Sequence, residues 1–490
     1  MEQEYTLGID LGTGSVKCIL RSLDGTQRYH AHGSYRTYSS HPGWMEQDPR
    51  DWIIVVRKTL DELYDTNGLD RKNTRAIGIC GAAHIGVLLD KKDAPCLNAI
   101  LWNDCRTIKE TNLLRKEYLS FIEQETLNQP GCSWTLPHLL WLREHHREEY
   151  QQAVSFLTSK DYLVFLLTGV RVMDHSSATS TLLYNPRKQT WSDTLCEISR
   201  LRPEVFPEVV DSCTIIGTTS AHMPFDLPVG IPVIAGALDS ICEFRAVATT
   251  DSPTPVLRLG TAGGVVRVEP RSEPVRGIFV YPFPRGGYLR QAATTSCGQS
   301  LEWIRRVLAG TGEKEVISFD DVDCLAGEVS PGSDGLFFHP YLQGERAPYE
   351  RPSLKGSFTG LTVHHDTRHL IRAVLEGTAF SLRDAWLVDA KAQNGRTQVI
   401  RGLGGAIRSH VWMSIMTNVL ARPIQIARFA DSCDGVACFA SESINVPVTL
   451  PSENSPFEKN LIVPDNETAS FYDLCYSRYR RIADSLVQLF

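Results

Sequence analysis

One short pattern occurs twice in this chain and constrains its fold more than any other feature. The apolar run ending at Asp10 passes into Leu11-Gly12-Thr13-Gly14-Ser15, and an equivalent run passes into Leu259-Gly260-Thr261-Ala262-Gly263. Each copy places glycine and threonine between two β-prone segments, which predicts a hairpin. Internal similarity across almost 250 residues indicates a duplicated fold whose two halves face a shared cleft.

The first copy also has the side chains that a bound phosphate would need. Glycine lets backbone N–H groups approach an anion, Thr13 and Ser15 add hydroxyl donors, and Lys17 adds positive charge. Asp10, an acid at the end of a strand beside this loop, predicts a Mg²⁺ ion held through water. An ordinary tight turn has the same composition, so one copy alone leaves both interpretations open; the second copy favours the phosphate site. Neither copy fits the P-loop or the dinucleotide fingerprint.

Length and composition agree with a large enzyme that folds without cross-links. The 490 residues are 42% hydrophobic, which favours two or three domain cores, and the net charge of −7 gives no footprint for nucleic acid or an anionic membrane. We therefore expect neither as a partner. The N-terminus is acidic, no apolar run approaches the length of a membrane span, and the 13 cysteines are scattered, so the sequence predicts a cytoplasmic protein with reduced thiols.

Strand-like and helix-like patterns alternate along both parts of the chain, which predicts an α/β fold throughout. Strands are predicted over residues 74–80, 86–90, 336–340 and 398–402, and helices over residues 48–64, 160–168, 370–391 and 409–420. The polar, proline-bearing stretch at residues 248–255 predicts a boundary between an N-terminal domain, 1–248, and a C-terminal domain, 249–490.

A second acid, Asp239, follows the apolar strand-like run at residues 231–238. Open α/β folds bind ligands at the carboxyl ends of their strands, so Asp239 is a candidate general base. The same residue is also well suited to cap the helix that begins at Ser240, and the two roles are compatible.

Many ordered motifs make the chain resemble the FGGY carbohydrate kinases, and within that family the xylulokinases most. The matches run over nearly the whole length and include His41-Pro42-Gly43-Trp44, Leu101-Trp102-Asn103-Asp104, Gly344-Glu345-Arg346 and Gly404-Gly405-Ala406. The resemblance implies two ribonuclease H-like domains of the actin and hexokinase type with a catalytic cleft between them. It also implies transfer of the γ-phosphate of Mg·ATP to a small carbohydrate.

The resemblance further implies a role for individual residues. Asp239 would be the catalytic base, and Asp10 would organise Mg²⁺. The residues implied at the sugar are Ala83, His84, Trp102, Asp104, Asp239 and Ser240. Those implied at ATP are Thr13, Gly14, Lys17, Gly260 and Thr261 at the phosphates, Gly298 beside the nucleotide, and Gly404, Gly405 and Ser409 at the adenosine.

Two positions at the implied sugar site depart from the pattern of the family. Ala83 stands where xylulokinases usually have methionine, and Ser240 stands where the catalytic aspartate is usually followed by asparagine. Because a missing hydrogen-bond partner changes specificity strongly, we expect an acceptor other than D-xylulose: another ketose such as L-xylulose, a pentitol, a tetritol or an aldonate such as gluconate. Cys438 and Phe439 also replace small residues in a helix behind the nucleotide, which leaves the base preference open.

Two alternatives of another class remain open on the sequence. An actin-like or chaperone-like ATPase would use such a cleft without a sugar, but His84, Trp102 and Asp104 argue against it. A sugar-sensing relative with weak catalysis is expected to have lost residues such as Asp10 or Asp239, which this chain retains. The oligomeric state is open as well, a homodimer included.

Overall fold

The computed structural model describes residues 3–248, 254–310, 316–388, 399–427, 431–448 and 461–490. Most of the domain boundary predicted at residues 248–255 lies outside the described residues, so that boundary stays a prediction.

The first half of the chain, up to residue 248, alternates strands with helices. Its strands are β1 (Tyr5–Leu11), β2 (Ser15–Ser22), β3 (Arg28–Ser34), β4 (Glu46–Gln47), β5 (Thr74–Gly81), β6 (Gly86–Leu89), β7 (Ala99–Ile100), β8 (Ser155–Thr158), β9 (Val172–Asp174), β10 (Tyr184–Asn185), β11 (Thr190–Trp191), β12 (Glu208–Val210), β13 (Ile215–Thr218), β14 (Pro232–Ile234) and β15 (Ala237–Leu238). Its helices are α1 (Pro49–Asn67), α2 (Ile108–Thr126), α3 (Thr135–His145), α4 (Arg147–Gln152), α5 (Ser159–Thr168), α6 (His175–Ser180), α7 (Asp193–Ser199) and α8 (Asp239–Val247).

The second half, from residue 254 on, is built in the same way. Its strands are β16 (Val256–Leu259), β17 (Gly263–Glu269), β18 (Ile278–Pro282), β19 (Tyr288–Ala293), β20 (Phe337–His339), β21 (Ser357–Thr359), β22 (Ile400–Leu403), β23 (Ile424–Ile426) and β24 (Leu461–Ile462). Its helices are α9 (Gly298–Ala309), α10 (Phe319–Gly327), α11 (Thr367–Val388), α12 (His410–Leu420), α13 (Ser432–Ser443) and α14 (Asn466–Leu489). Short 3-10 helices lie at Arg71–Asn73, Pro203–Val205, Ser333–Gly335 and Gly405–Arg408.

The central sheet of the first half has the strand order β13-β14-β5-β1-β2-β3, and β15 also pairs with β5. Neighbours among β1, β2 and β3 are antiparallel, whereas β5 runs parallel to both β1 and β14. β1 is buried along its whole length and β5 at every position but one. Such continuous burial is typical of central strands that are covered on both faces.

The central sheet of the second half has the strand order β18-β19-β17-β16-β22-β23-β24. β16, β17 and β19 are antiparallel neighbours, and β22 runs parallel to both β16 and β23. The run β19-β17-β16-β22-β23 therefore repeats β3-β2-β1-β5-β14 in order and direction. In each sheet the glycine and threonine hairpin joins the first two strands. The duplicated α/β fold predicted from the repeated hairpin is confirmed.

Local sequence rules account for the ends of the predicted helices. Asp48 caps α1 by accepting the Arg50 N–H, and Gly68 ends that helix in the left-handed conformation. Gly169 ends α5 with a φ of 78°, as predicted, and Ser409 caps α12. The predicted strand at 398–402 and helix at 370–391 extend partly outside the described residues.

Helices α8 and α13 pack against each other where the two halves meet. A Cβ atom on Gly435 of α13 would lie 1.7 Å from the carbonyl oxygen of Cys242 in α8, so the two backbones touch. On its other side α13 lies on the first sheet, because Cβ atoms on Gly8 and Gly78 would come within 2.3 and 2.6 Å of its carbonyl oxygens. Phe439 of α13 accordingly belongs to the hydrophobic core of the first half. Among the described residues, no helix has the length and apolar character needed to cross a bilayer.

Candidate active site

The first phosphate hairpin, residues 11–15, is held by two side chains from other parts of the first half. Trp102 Nε1 donates to Thr13 Oγ1 at 2.7 Å, and Gln47 Nε2 donates to the carbonyl oxygen of Thr13 at 2.7 Å. Because Thr13 Oγ1 accepts from Trp102, its own hydrogen points elsewhere. Gly14 is exposed, and a Cβ atom there would meet nothing within 4 Å. The space beside the hairpin is therefore open to a ligand.

Asp10, at the end of β1, is a buried acid with one free oxygen. Its Oδ2 accepts the Ser432 hydroxyl at 2.6 Å, whereas Oδ1 has no hydrogen-bond partner. Burial, followed by the charge of Asp239, raises the pKa of Asp10 to about 7. Lys17 lies opposite Asp10 in the β1–β2 register. Desolvation acts to lower the pKa of Lys17, but the carboxylates of Asp431 and Asp10 outweigh it and raise that pKa.

The unpartnered oxygen of Asp10 fits a hydrated cation. In the described part of the chain, no three His, Cys, Asp or Glu side chains are grouped so that they could bind a metal ion directly. Mg²⁺ usually keeps several waters and takes one or two carboxylates together with substrate phosphates. A single carboxylate oxygen beside a phosphate hairpin is compatible with that mode of binding.

The second phosphate hairpin, residues 259–263, packs on the N-terminus of α9. The carbonyl oxygen of Thr261 accepts the Cys297 and Gln299 N–H groups at 2.9 and 3.1 Å, and that of Gly260 accepts the Gly298 N–H at 2.9 Å. A Cβ atom on Gly298 would lie 2.8 Å from the Gly260 oxygen, so this close approach requires glycine. Gly260 and Thr261 are themselves exposed. Gly298 thus fixes a hairpin that is open to a ligand.

Asp239 is the first residue of α8, and the N-cap position is occupied by Leu238. The prediction that Asp239 is the N-cap residue is therefore wrong by one position. The Asp239 carboxylate still lies at the helix N-terminus, and its Oδ1 accepts the Ser240 N–H at 2.6 Å. Burial raises the pKa of Asp239, and the Arg258 guanidinium opposes that shift. Asp239 is thus a half-buried carboxylate at the carboxyl end of β15.

A buried ionic network holds the strand end that carries Asp239. Lys160 Nζ lies 3.0 Å from Asp174, and Asp174 accepts the Ser176 hydroxyl at 2.5 Å. Ser176 Oγ in turn accepts the N–H of Leu238, directly before Asp239, at 3.1 Å. The network explains why Lys160, whose side chain is 1% exposed, is buried without disrupting the core.

His84 lies in the first half with both ring nitrogens engaged by protein. Its Nδ1 is 2.8 Å from the carbonyl oxygen of Ser180, which can only accept, so Nδ1 carries the hydrogen. Nε2 therefore accepts the Tyr281 hydroxyl at 3.1 Å. Burial lowers the pKa of His84 to about 3, so the ring is neutral. The sugar contact implied for His84 has no free ring nitrogen in this arrangement and stays a prediction.

Both carboxylate oxygens of Asp104 likewise accept hydrogen bonds from other protein groups. Its Oδ2 accepts the Met45 N–H at 2.6 Å, and Arg106 contacts both carboxylate oxygens at 2.8 to 3.0 Å. The Arg106 guanidinium stacks over Trp44 at 3.9 Å. Trp102, in contrast, is half-buried, with the Arg346 guanidinium 4.9 Å from its ring centroid. Asp104 therefore shapes the loop, whereas Trp102 is partly accessible to a ligand.

The two departures at the implied sugar site flank residues of the cleft. Ala83 is half-buried directly before His84, and Ser240 is buried directly after Asp239. Each of them therefore changes the side chain next to a residue with an implied role.

The residues implied at the adenosine lie together at the start of α12. Gly404 has a φ of 106°, and a Cβ atom there would lie 2.6 Å from the carbonyl oxygen of Leu259. Gly405 is exposed with nothing within 4 Å of its Cβ position. Ser409 accepts the Trp412 N–H at 3.0 Å and donates to Asp323, so its hydroxyl has a capping role. Gly404 brings this segment against the strand that leads into the second hairpin.

Sequence reasoning missed several polar residues of the cleft. Arg258 lies in β16 and forms an ion pair with Glu243 of α8, and Gln47 supports the first hairpin. Arg346 and Tyr281 face the first half from the second. The position of Glu243, four residues after Asp239 on one helix, is a signal that could have identified it, because residues at that spacing share a helix face.

Two sheets of the same topology, each with a glycine and threonine hairpin, together with the carboxylates of Asp10 and Asp239, form the architecture of a two-domain phosphotransferase. Residues 5–243 match the N-terminal domain of the FGGY family of carbohydrate kinases, and residues 256–440 match its C-terminal domain. The chain belongs to this family of carbohydrate kinases.

Individual relatives match most or all of the chain. The chain is 29% identical to a xylulose kinase of Staphylococcus epidermidis over 500 residues, which cover 100% of this chain and 98% of the relative. It is 31% identical to a xylulose kinase of Lactococcus lactis subsp. lactis over 420 residues, 85% of this chain and 83% of the relative. The crystal structure of xylulose kinase from Rhodospirillum rubrum matches with a TM-score of 0.85 at 26% identity, over 99% of both chains. The protein is thus an ATP-dependent kinase of a small carbohydrate, which excludes the ATPase without a sugar.

Proposed function

We propose that this kinase transfers the γ-phosphate of ATP to a hydroxyl of a ketose or polyol of about the size of xylulose, with Asp239 as general base. The single observation that carries the assignment is the half-buried Asp239 carboxylate, which begins α8 beside a cation contributed by the other half, Arg258. A carboxylate in that position can accept the proton of an attacking hydroxyl.

In the proposed reaction, both hairpins bind the phosphates of ATP while Asp239 acts on the acceptor. The acceptor hydroxyl loses its proton to Asp239 while its oxygen bonds to the γ-phosphorus. The bond from that phosphorus to the oxygen bridging the β- and γ-phosphates breaks, and ADP leaves. Thr13, Gly14 and Lys17 bind the phosphates from one side, and Gly260 and Thr261 bind them from the other. Holding both reactants between two halves also excludes water, which would otherwise compete as acceptor.

Asp10 is the proposed anchor for Mg²⁺, through water and its free Oδ1. When bound there, Mg²⁺ neutralises charge on the phosphates. Gly298 supports the second hairpin beside the nucleotide, while Gly404, Gly405 and Ser409 border the adenosine.

On the sugar side we assign direct contact to Trp102 and supporting roles to His84 and Asp104. The ring nitrogens of His84 and the carboxylate of Asp104 are already bonded within the protein. Ala83 and Ser240 shape the pocket beside them, and we keep the expectation that the preferred acceptor is not D-xylulose. Assembly as a homodimer remains a prediction as well.

An ADP-release assay with an acceptor panel tests the assignment. The panel comprises D- and L-xylulose, D-ribulose, pentitols, tetritols, gluconate and glycerol. We expect Asp239→Asn to lower turnover about 10²–10⁴-fold while ATP binding is retained. Asp193→Asn is the matched control, because Asp193 is the first residue of α7 and is exposed. An Asp239→Asn protein with activity close to that of the control would refute Asp239 as the base.

A further inference from the structure

An ion pair between Arg258 of β16 and Glu243 of α8 joins the two halves beside Asp239. Leu257 and Leu259, the neighbours of Arg258 along the strand, are buried in the core of the second half. Since side chains alternate along a strand, Arg258 points out of that core, towards the first half. Its side chain is 23% exposed and that of Glu243 is 17% exposed, so the pair is largely shielded from water.

Helix geometry places Arg258 beside two carboxylates at once. Glu243 follows Asp239 by four residues in α8, so both carboxylates lie on the same face of that helix. Burial, followed by the opposing positive charge of Arg258, is the main influence on the pKa of each acid. Glu243 also feels the charges of Asp239 and Asp10. Without Arg258, the mutual repulsion of these three acids would be offset less, although Lys17 also lowers the pKa of Asp239 and of Asp10.

We propose that Arg258 is a positioning residue for phosphoryl transfer: by pairing with Glu243 it fixes α8 against the second phosphate hairpin and so holds Asp239 at the acceptor hydroxyl that faces the γ-phosphate. This inference rests on the proposed role of Asp239. Arg258 directly precedes Leu259 and Gly260 of the second hairpin, so the ion pair connects the helix that carries the base to the loop that carries the phosphate. When the halves separate, the pair breaks and the alignment is lost. The two halves would then present the base and the phosphate in register only when the cleft is closed.

The central test is Arg258→Met, measured as kcat and KM for both substrates. We expect kcat to fall about 10²-fold, the loss typical of a misplaced reacting group, while both KM values stay within about threefold. Arg258→Lys should recover part of kcat, because lysine keeps the charge but lacks the fork that faces two carboxylates. A structural defect alone would not show this separation of kcat from KM, nor the rescue.

Arg245→Met is the matched control, because Arg245 lies on the same helix as Glu243 and also forms an ion pair with the second half. Arg245 pairs with Glu442 of α13, and their side chains are 6% and 16% exposed. Its loss removes a more deeply buried ion pair from α8 and is expected to lower the melting temperature with little change in kcat. If Arg258→Met affects kcat no more than Arg245→Met does, the proposal is overturned.

A double-mutant cycle tests the pairing itself. Glu243→Gln should lower kcat less than Arg258→Met, and the double variant should be no slower than Arg258→Met alone. Independent effects that simply multiply would overturn the proposal. Should Arg258→Met fail to fold, Arg258→Lys and Glu243→Gln carry the same comparison. Asp239→Asn separates the two hypotheses: an active Asp239→Asn protein refutes the proposed base, whereas an inactive one with an unaffected Arg258→Met protein refutes only the role of Arg258.

Discussion

Replacing Trp102 with phenylalanine tests whether the sugar side of the cleft sets the geometry of the phosphate side. The substitution removes the Nε1–H group that donates to Thr13 Oγ1 at 2.7 Å. It keeps an aromatic ring beneath the Arg346 guanidinium, which lies 4.9 Å from the ring centroid. The hydrogen bond to the hairpin is therefore lost while the stacking contact is largely preserved.

The size of the effect follows from that one bond. A typical intramolecular hydrogen bond contributes about 0.5–1.5 kcal/mol net, and about 1.4 kcal/mol corresponds to a factor of ten in rate. We therefore expect kcat/KM for ATP to fall about two- to tenfold. The loss should appear with ATP because Thr13 belongs to the hairpin that binds phosphate, and KM for the sugar should change less.

Initial rates of ADP release at varied ATP and saturating sugar measure this effect. Trp412→Phe is the matched control, because Trp412 Nε1 donates to Thr378 Oγ1 at 3.1 Å inside the core of the second half. We expect that control to lower the melting temperature and leave the kinetics unchanged. Combining Trp102→Phe with Thr13→Ala should give no more loss than Thr13→Ala alone. The reasoning fails if Trp102→Phe behaves like the control, or if its effect and that of Thr13→Ala simply multiply.

Three further predictions concern other parts of the site. Gly298→Ala places a Cβ atom 2.8 Å from the second hairpin and should raise KM for ATP about tenfold. Gly327→Ala is the control, because its Cβ atom has no contact closer than 3.7 Å, and it should leave KM unchanged. Equal KM values for the two variants would contradict the close-approach argument. The folded-state pKa of Asp10 is raised to about 7. The raised pKa leaves the free energy of unfolding unchanged below the unfolded pKa near 4, where Asp10 is protonated in both states. It lowers that free energy progressively as the pH rises to 7, because the unfolded state then ionises more readily. Without Mg²⁺, Asp10→Asn should thus be more stable than the parent at pH 8, by up to about 4 kcal/mol, with the difference vanishing near pH 4 in urea titrations; a constant difference would refute this. The Ala83→Met, Ser240→Asn double variant should gain D-xylulose activity relative to the parent, and a parent that already prefers D-xylulose in the panel would disprove the specificity argument.

The duplicated architecture could be predicted because its signals are local. Gly12, Thr13 and Gly14 lie between two apolar runs, and the same arrangement at Gly260 and Thr261 requires no knowledge of distant contacts. These apolar runs form β1 and β16, which are buried because each has paired strands on both sides in its sheet. The helix ends at Gly169 and Ser409 are local in the same sense.

The polar partners of the cleft could not be predicted, because each depends on where the folded chain returns. The family resemblance implies a sugar contact for Asp104, yet its oxygen accepts an N–H from Met45, 59 residues earlier. Arg258 and Glu243 pair only because α8 lies against the second half. The N-cap was misplaced by one residue at Asp239, because the cap position is defined by backbone angles that a sequence does not display.

The position of α13 has a consequence for dividing this protein into fragments. The helix follows the second sheet in the chain, yet it covers β1 and β5 of the first sheet through Gly8 and Gly78. A fragment that ends before residue 249 would expose that apolar surface to water and would be expected to aggregate. Supplying residues 254–490 in trans would restore the missing cover, so the two pieces should regain solubility and activity only by complementing each other.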